Sequence, residues 1–423
     1  MTTSGEGAAA KGPPARHVAA VVAGNALEFY DFLTYAFFAA QIGRTFFPSH
    51  DPASSLLASL ATFGAGFLTR PVGALVIGRL ADRVGRKPAM LLTFGLMGAA
   101  MAGVALTPSY AAIGLAAPAI VIVLRLLQGF ALGGELGSST AYLAEAAPAR
   151  RRGLYVSFQY MGQDVAILIA GCLGVVLSNL LTPADLDAWG WRVAFLAGAV
   201  IVPLGLILRR SLEDTLHLPE PPPPATRNPA DHRRVAILAL AILSAGTVAS
   251  YLLSYLTTYA NSTLGMPVSL AFGATVATGL AGTVFDPIGG ALSDRFGRKP
   301  VMVVSWGLLT LAVLPAFWLV EQSRTPLALY GGAAVLTIAF VTGASAALVG
   351  ITEALPKRSR AGNLAIIYAV STAVFGGATQ VFAAWLTRLT GQPMAPAWLM
   401  MGAAVIALGA ALGLRETAPN RAA

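Results

Sequence analysis

The stretch Gly78-Arg79-Leu80-Ala81-Asp82-Arg83-Val84-Gly85-Arg86-Lys87-Pro88 returns as Gly290-Ala291-Leu292-Ser293-Asp294-Arg295-Phe296-Gly297-Arg298-Lys299-Pro300, with eight of eleven positions identical and a constant offset of 212. A second pair follows suit: Glu145-Ala146-Ala147-Pro148-Ala149-Arg150-Arg151-Arg152 is echoed by Glu353-Ala354-Leu355-Pro356-Lys357-Arg358-Ser359-Arg360 at an offset of 208. Two markers at nearly equal offsets require a chain built from two versions of one unit.

Composition says where those units reside. With 56% hydrophobic residues, 11% charged residues and a mean hydropathy of +0.70, the chain departs far from the soluble average of about 25% charged. Apolar stretches of roughly 20 residues, enough to cross about 30 Å of hydrocarbon, run at 17–40, 55–78, 88–107, 114–144, 154–178 and 191–208, and again at 235–260, 268–292, 300–320, 327–354, 363–387 and 395–414. The expected fold is an all-α membrane protein of 12 transmembrane helices in two six-helix bundles. The bundles occupy 1–208 and 235–423. Between them, 209–234 holds Glu220-Pro221-Pro222-Pro223-Pro224, which cannot continue a helix, and reads as a cytoplasmic linker.

The net charge of +9 raises the question of nucleic acid, but its distribution answers it. With the N-terminus inside, only Arg44, Arg192, Arg324 and Arg388 fall at the outer face and Arg70 and Arg125 within the bilayer; the other Lys and Arg fall on cytoplasmic segments. That bias sets both termini in the cytoplasm. The first apolar segment is too long for a signal peptide and lacks its cleavage site. A single cysteine, Cys172, excludes an intrachain disulfide and a multi-cysteine metal site, and of the four histidines, His17, His50, His217 and His232, three lie in tails or loops. No metal, cofactor or enzymatic constellation is expected. Without a Walker sequence, nothing implies an ATPase partner.

The doubled G-x-x-x-D-R-x-G-R-K loops, the paired E-x-x-P-x-R loops and the six-plus-six layout resemble the major facilitator superfamily across nearly the whole chain. The resemblance implies that the basic loops latch the bundles at the cytoplasmic face, with Gly78, Asp82, Gly85, Arg86, Asp294, Gly297 and Arg298 as gating residues. Independently of the family, Asp82 and Asp294 suit a helix end or an arginine partner, and Gly85 and Gly297 permit a tight turn. Gly24-Asn25-Ala26-Leu27-Glu28-Phe29-Tyr30-Asp31-Phe32, Arg70-Pro71-Val72-Gly73, Arg125-Leu126-Leu127-Gln128-Gly129-Phe130 with Gly133-Gly134-Glu135, and Trp189-Gly190-Trp191-Arg192 are similar to the metabolite:proton symporter family. Within it, Ile113-Gly114-Leu115-Ala116-Ala117-Pro118, the loop from Leu181 to Arg192 and Ser371-Thr372-Ala373-Val374-Phe375-Gly376-Gly377 look closest to citrate–proton symporters. The resemblance implies proton-coupled import of an organic anion, most simply a tricarboxylate, across a bacterial inner membrane by alternating access. 2-Oxoglutarate, shikimate and betaines are the alternatives within the family.

Charge inside a bilayer is costly, so each intramembrane ionisable residue is a candidate for function. Arg125, Gln128 and Glu135 fall at i, i+3 and i+10, on one helical face. The resemblance makes Asp31 the protonatable carboxylate and Arg125 its partner, with Glu135 on the same face as Arg125. Glu28, a turn before Asp31, either relays a proton or bonds to a neighbouring helix. Arg70 points into the cavity or toward the motif loop; Arg192 either attracts anions outside or anchors a helix end. Asp164 stands beside Gln159, Tyr160 and Gln163 and suits a proton, a substrate hydroxyl or a cationic substrate. In the second half Tyr251, Tyr255 and Tyr259 form a stripe that serves packing or a binding wall, and Asp286 falls near the cytoplasmic end. The substrate site is therefore expected on Asn25, Arg70, Arg125, Gln128, Gln159, Gln163, Tyr255 and Tyr368, with a first bundle that handles charge and a second that grips shape. The 45 glycines suit close helix crossings in lipid.

Overall fold

Helices account for nearly all of the computed structural model, which describes residues 15–84, 86–133, 140, 143–144, 147–199, 229–355 and 360–418, and no strand occurs among them. The first crossing is α1 (Ala15–Phe37), resumed after Phe38 as α2 (Ala39–Phe46). It runs farther than the apolar pattern suggests because Arg44, in its last turn, pairs with Asp187 at 2.7 Å. Asp51 starts the second crossing: its carboxylate accepts from Ala53 N at 3.1 Å, and Pro52 occupies the first helical position, where no donor is missed. This crossing comprises α3 (Pro52–Leu68) and α4 (Arg70–Val84). Then come α5 (Arg86–Leu106), α6 (Ala116–Leu132), α7 (Arg152–Leu180) and α8 (191–199).

The second set begins with α9 (Pro229–Thr258), whose proline falls in the first turn and so lies inside the 209–234 segment. It continues with α10 (Val268–Phe296), α11 (Arg298–Ser323), α12 (Pro326–Ala354), α13 (Arg360–Ser371), α14 (Gly377–Thr390) and α15 (Ala395–Gly413). Among the described residues, eight helical stretches have the length and hydropathy of a membrane crossing, and Leu91–Leu106 and Ala116–Leu132 are shorter apolar helices.

Each set of helices packs a core of its own. Phe32, Phe63, Phe67, Trp191 and Phe195 centre the first; Trp306, Leu309, Leu348 and Met400 centre the second. Lipid tails are as apolar as these side chains, so helix association relies on close contact rather than on escape from water. The bundles meet chiefly where α7 crosses α10 and α3 crosses α14. A Cβ on Gly153 would lie 2.5 Å from Gly290 O, and one on Gly64 would lie 2.6 Å from Gly377 O. Only glycine allows these backbones to touch.

Both ends of this interface are tied. At the basic-loop face, Asp294 of α10 accepts from Gly153 N (2.8 Å) and Leu154 N (2.9 Å), capping α7 of the opposite bundle. Arg298 donates to Asp294 at 2.6 Å and takes Glu353 in a two-pronged grip at 3.1 Å on each arm. Arg152 reaches the same carboxylate at 3.4 Å. Gly297 makes the turn with φ of 99°, and a Cβ there would also strike Glu416, whose carboxylate accepts from Arg298 N and Lys299 N. At the opposite face Arg388 bonds to Asp51 at 2.7 Å and to Ser54 at 3.0 Å, again joining the bundles.

Candidate functional site

A cavity lies between the bundles, lined from α1 by Phe29 and Leu33, from α7 by Tyr160, Gln163, Asp164 and Ile167, and from α9 by Thr247, Ser250, Tyr251 and Ser254. Asp286 of α10, Trp306 of α11, Phe340 of α12 and Tyr368 of α13 complete it. Its cavity volume is about 70 Å³, below the roughly 300–1,000 Å³ usual for small-molecule sites, so the walls stand close together in this closed form. The walls are mostly apolar and the polar groups few, so orientation rests on a handful of hydroxyls, one amide and two carboxyls.

Behind this wall stand two buried guanidinium groups. Arg125 is fully buried; its Nη1 donates to Gln128 Oε1 at 2.5 Å, and its Cζ lies 4.5 Å from the ring centres of both Phe32 and Tyr35. Arg70, 5% exposed, is held between Phe32 and Phe67 at 4.4 and 4.2 Å, contacts of about 0.5–2 kcal/mol each. Its Nε and Nη2 find no hydrogen-bond partner among the described residues. Unmade hydrogen bonds on a buried cation are costly, and toward the cavity wall Arg70 is within hydrogen-bonding reach of Tyr251 and acts on Tyr368.

The structure also brings two carboxylates together across the bundle interface. α7 and α10 run antiparallel, with Gly153 against Gly290, Leu168 against Gly279 and Gly174 against Phe272. Asp164 therefore abuts Gly282, where a Cβ would lie 2.2 Å from its Cγ. One turn on is Asp286, within hydrogen-bonding reach of Asp164 and accepting from Ser345 Oγ at 2.8 Å. Two expectations are corrected here. Asp286 lines the cavity rather than standing apart from it at the cytoplasmic end, because α10 continues well beyond it, to Phe296. The second bundle consequently supplies charge as well as shape.

The remaining expected residues separate into groups. Gln163 and Tyr368 line the cavity, and Gln163 Nε2 is buried without a partner. Asn25 and Gln159 instead clasp α1 to α7, Asn25 Nδ2 donating to Gln159 O and Gln159 Nε2 to Asn25 Oδ1 at 3.1 Å. Tyr255 packs in the second core and Tyr259 against Phe317, leaving Tyr251 as the member of the stripe that reaches the cavity. Arg192 donates to Ala105 O and Thr107 O at 2.5 and 2.7 Å, which makes it a cap for the end of α5. Gly78 lies on α4 with open space around its Cα, while its counterpart Gly290 is pressed against Gly153. Gly85 and Glu135 lie outside the described residues, as do the side chains of Glu28, Asp31, Asp82 and Arg86, whose backbones are helical. No group of three or more His, Cys, Asp or Glu suited to a metal occurs among the described residues.

A family model described as Major Facilitator Superfamily matches residues 21–285 and 272–423. A citrate-proton symporter of Klebsiella pneumoniae is 38% identical over 403 residues, covering 92% of this chain and 89% of its own. An alpha-ketoglutarate permease of Escherichia coli K12 is 35% identical (93% and 92% covered), and a proline/betaine transporter of Salmonella typhimurium is 31% identical (95% and 83%). Among solved structures, a D-xylose-proton symporter superposes with a TM-score of 0.75 over 96% of this chain and 98% of that one, at 16% identity, a likeness of fold alone.

Proposed function

The chain belongs to the major facilitator superfamily, a multi-pass membrane transporter of twelve helices in two six-helix bundles, and on that premise we propose that it carries a tricarboxylate such as citrate together with protons. The observation that carries the choice of an anion is Arg70, a buried guanidinium with two N–H groups unpartnered among the described residues, set behind the tyrosines of the cavity. A carboxylate placed there gains charge-assisted hydrogen bonds. The citrate-proton symporters at 37–38% identity support the same substrate class.

Alternating access follows from the tied ends: the bundles, assigned to 1–208 and 235–423 around the linker 209–234, part at one face while the other stays closed. We assign the basic-loop face to the cytoplasm of a bacterial inner membrane, with both termini on that side. Asp31 with Arg125, flanked by Glu28 and Glu135, is assigned to proton coupling. Bilayer, protons and organic anion are the partners required.

The test is uptake of radiolabelled citrate into proteoliposomes under an imposed pH gradient, with 2-oxoglutarate, shikimate and glycine betaine as competitors. Citrate should accumulate. Arg70→Lys keeps the charge but loses the planar fork, so affinity should fall about tenfold, equivalent to about 1.4 kcal/mol. Competition by betaine alone refutes the anion assignment.

A further inference from the structure

Asp164 and Asp286 belong to different bundles, and no family motif quoted above contains either. Each is buried, at 8% and 0% exposure. Asp164 occupies the space that a side chain at 282 would fill, and Asp286 is four residues farther along α10, about 6 Å by helical rise. Asp286 Oδ1 is held by Ser345, whereas Oδ2 has no partner among the described residues other than the carboxyl beside it. Two carboxylates this close, in a low-dielectric interface, repel unless a hydrogen lies between them.

We propose that the Asp164–Asp286 pair is a proton site that exists only while α7 and α10 are closed against each other, one proton being shared between the two carboxyls and carried with the substrate. The surroundings offer little else to balance the charge. α7 presents Tyr160, α13 presents Tyr368, α9 presents Tyr251 and α12 presents Ser345; of the described cations, Arg70 acts on Tyr251 and Tyr368 and Arg125 on Tyr251. On α1, the side chains of Glu28 and Asp31 lie outside the described residues. When the basic-loop face opens, α7 and α10 separate, each carboxyl is solvated alone, and the proton leaves on that side. The cavity gives the closed pair its route to the other side. This role rests on the symport assignment and adds a coupled proton to the one assigned to Asp31.

Two measurements test it on the full-length protein in proteoliposomes. At zero membrane potential, the slope of log accumulation against ΔpH reports the coupled protons, and Asp164→Asn or Asp286→Asn should each lower the slope for citrate by about one relative to wild type. An amide can donate the hydrogen bond that the shared proton supplied, so both variants should still close. In parallel, spin labels at the exposed positions Arg151 and Arg295, in a Cys172→Ser background, report closure of the basic-loop face. The unsubstituted pair should close in acid and open in alkali, and Asp164→Asn should stay closed throughout. An unchanged slope in both variants overturns the proposal. So does a label distance in the wild-type pair that ignores pH, or one that follows sodium ion instead. If the wild type accumulates none of the four candidate substrates, the symport assignment fails separately, and the label distances still decide whether the pair binds a proton.

Discussion

Gly290→Ala tests the closed contact at the basic-loop end of the α7–α10 crossing. A methyl there would lie 2.4 Å from Gly153 O and 2.6 Å from Ser157 Oγ. Withdrawal to 3.0 Å, the shortest separation a real Cβ adopts, requires the α7–α10 crossing to widen by 0.6 Å against Gly153 O. Overpacking of that kind costs about 1–3 kcal/mol. Alanine also improves helix propensity by about 1 kcal/mol over glycine, but it does so in open and closed forms alike, so the term cancels from their ratio. The closed form should therefore lose about 5–150-fold relative to the form open at the basic-loop face. Gly78→Ala is the internal control: it is the same motif position 212 residues earlier, and no atom of the described residues lies within 4 Å of its added Cβ. Spin-label distances between Arg151 and Arg295 should lengthen for Gly290→Ala and stay at the wild-type value for Gly78→Ala. Equal responses, or none at position 290, would refute the argument that the second copy of the motif forms the tighter seal.

Glu353→Gln removes the negative charge and one of the two acceptor oxygens shared by Arg298, Arg152 and Thr417; with Arg298 1% exposed, the loss should be about 3 kcal/mol, seen as a lowered thermal transition that Asp51→Asn at the exposed opposite face does not reproduce. Burial works against the Glu416 carboxylate, but backbone N–H groups of Ala418, Arg298, Lys299 and Thr417 prevail and hold it below the usual carboxylate range. Its stabilising effect is thus present above the ordinary glutamate range and lost as pH falls through the depressed value; proteolytic nicking after residue 413 should rise in acid, and Glu416→Gln should be nicked equally at all pH values. Asp31→Asn should abolish uphill citrate accumulation while downhill exchange persists, and wild-type accumulation in that variant would reject its coupling role.

The duplication, the apolar spans and the gate were legible because each depends on local sequence. Gly297 makes the turn and Arg298 pairs with Asp294 within the motif itself, whereas their partners Gly153, Leu154 and Glu353 lie far off in the chain. The cavity was less legible. Which residue of α10 meets Asp164 depends on the antiparallel crossing of two helices from different bundles, and no periodicity within either helix encodes that register. For the same reason Asn25 and Gln159, both plausible substrate contacts as residue types, proved to bond to each other. Arg192 shows the complementary case: its chemistry was clear, but its partners are carbonyls at the end of another helix, which the sequence does not reveal. A signal for Asp286 did exist, since a lone acid within an apolar span followed by Pro287 is uncommon.

The two faces of the molecule are fastened with unequal hardware. Arg388 and Asp51 meet where both side chains remain nearly half exposed, so dissolved ions compete with them, and their attraction weakens as the screening length shrinks from about 8 Å at physiological ionic strength. At the basic-loop face the carboxylates that cross the seam, Asp294 on the first turn of α7 and Glu353 on Arg152, are 10% and 6% exposed and largely shut away from such competition. Ionic strength therefore acts as a lever on one door only. A carrier in concentrated medium would rest with its basic-loop face shut and the other ajar, and in dilute medium both would hold, which makes the salinity of the bathing solution a setting for how readily the empty transporter is found waiting.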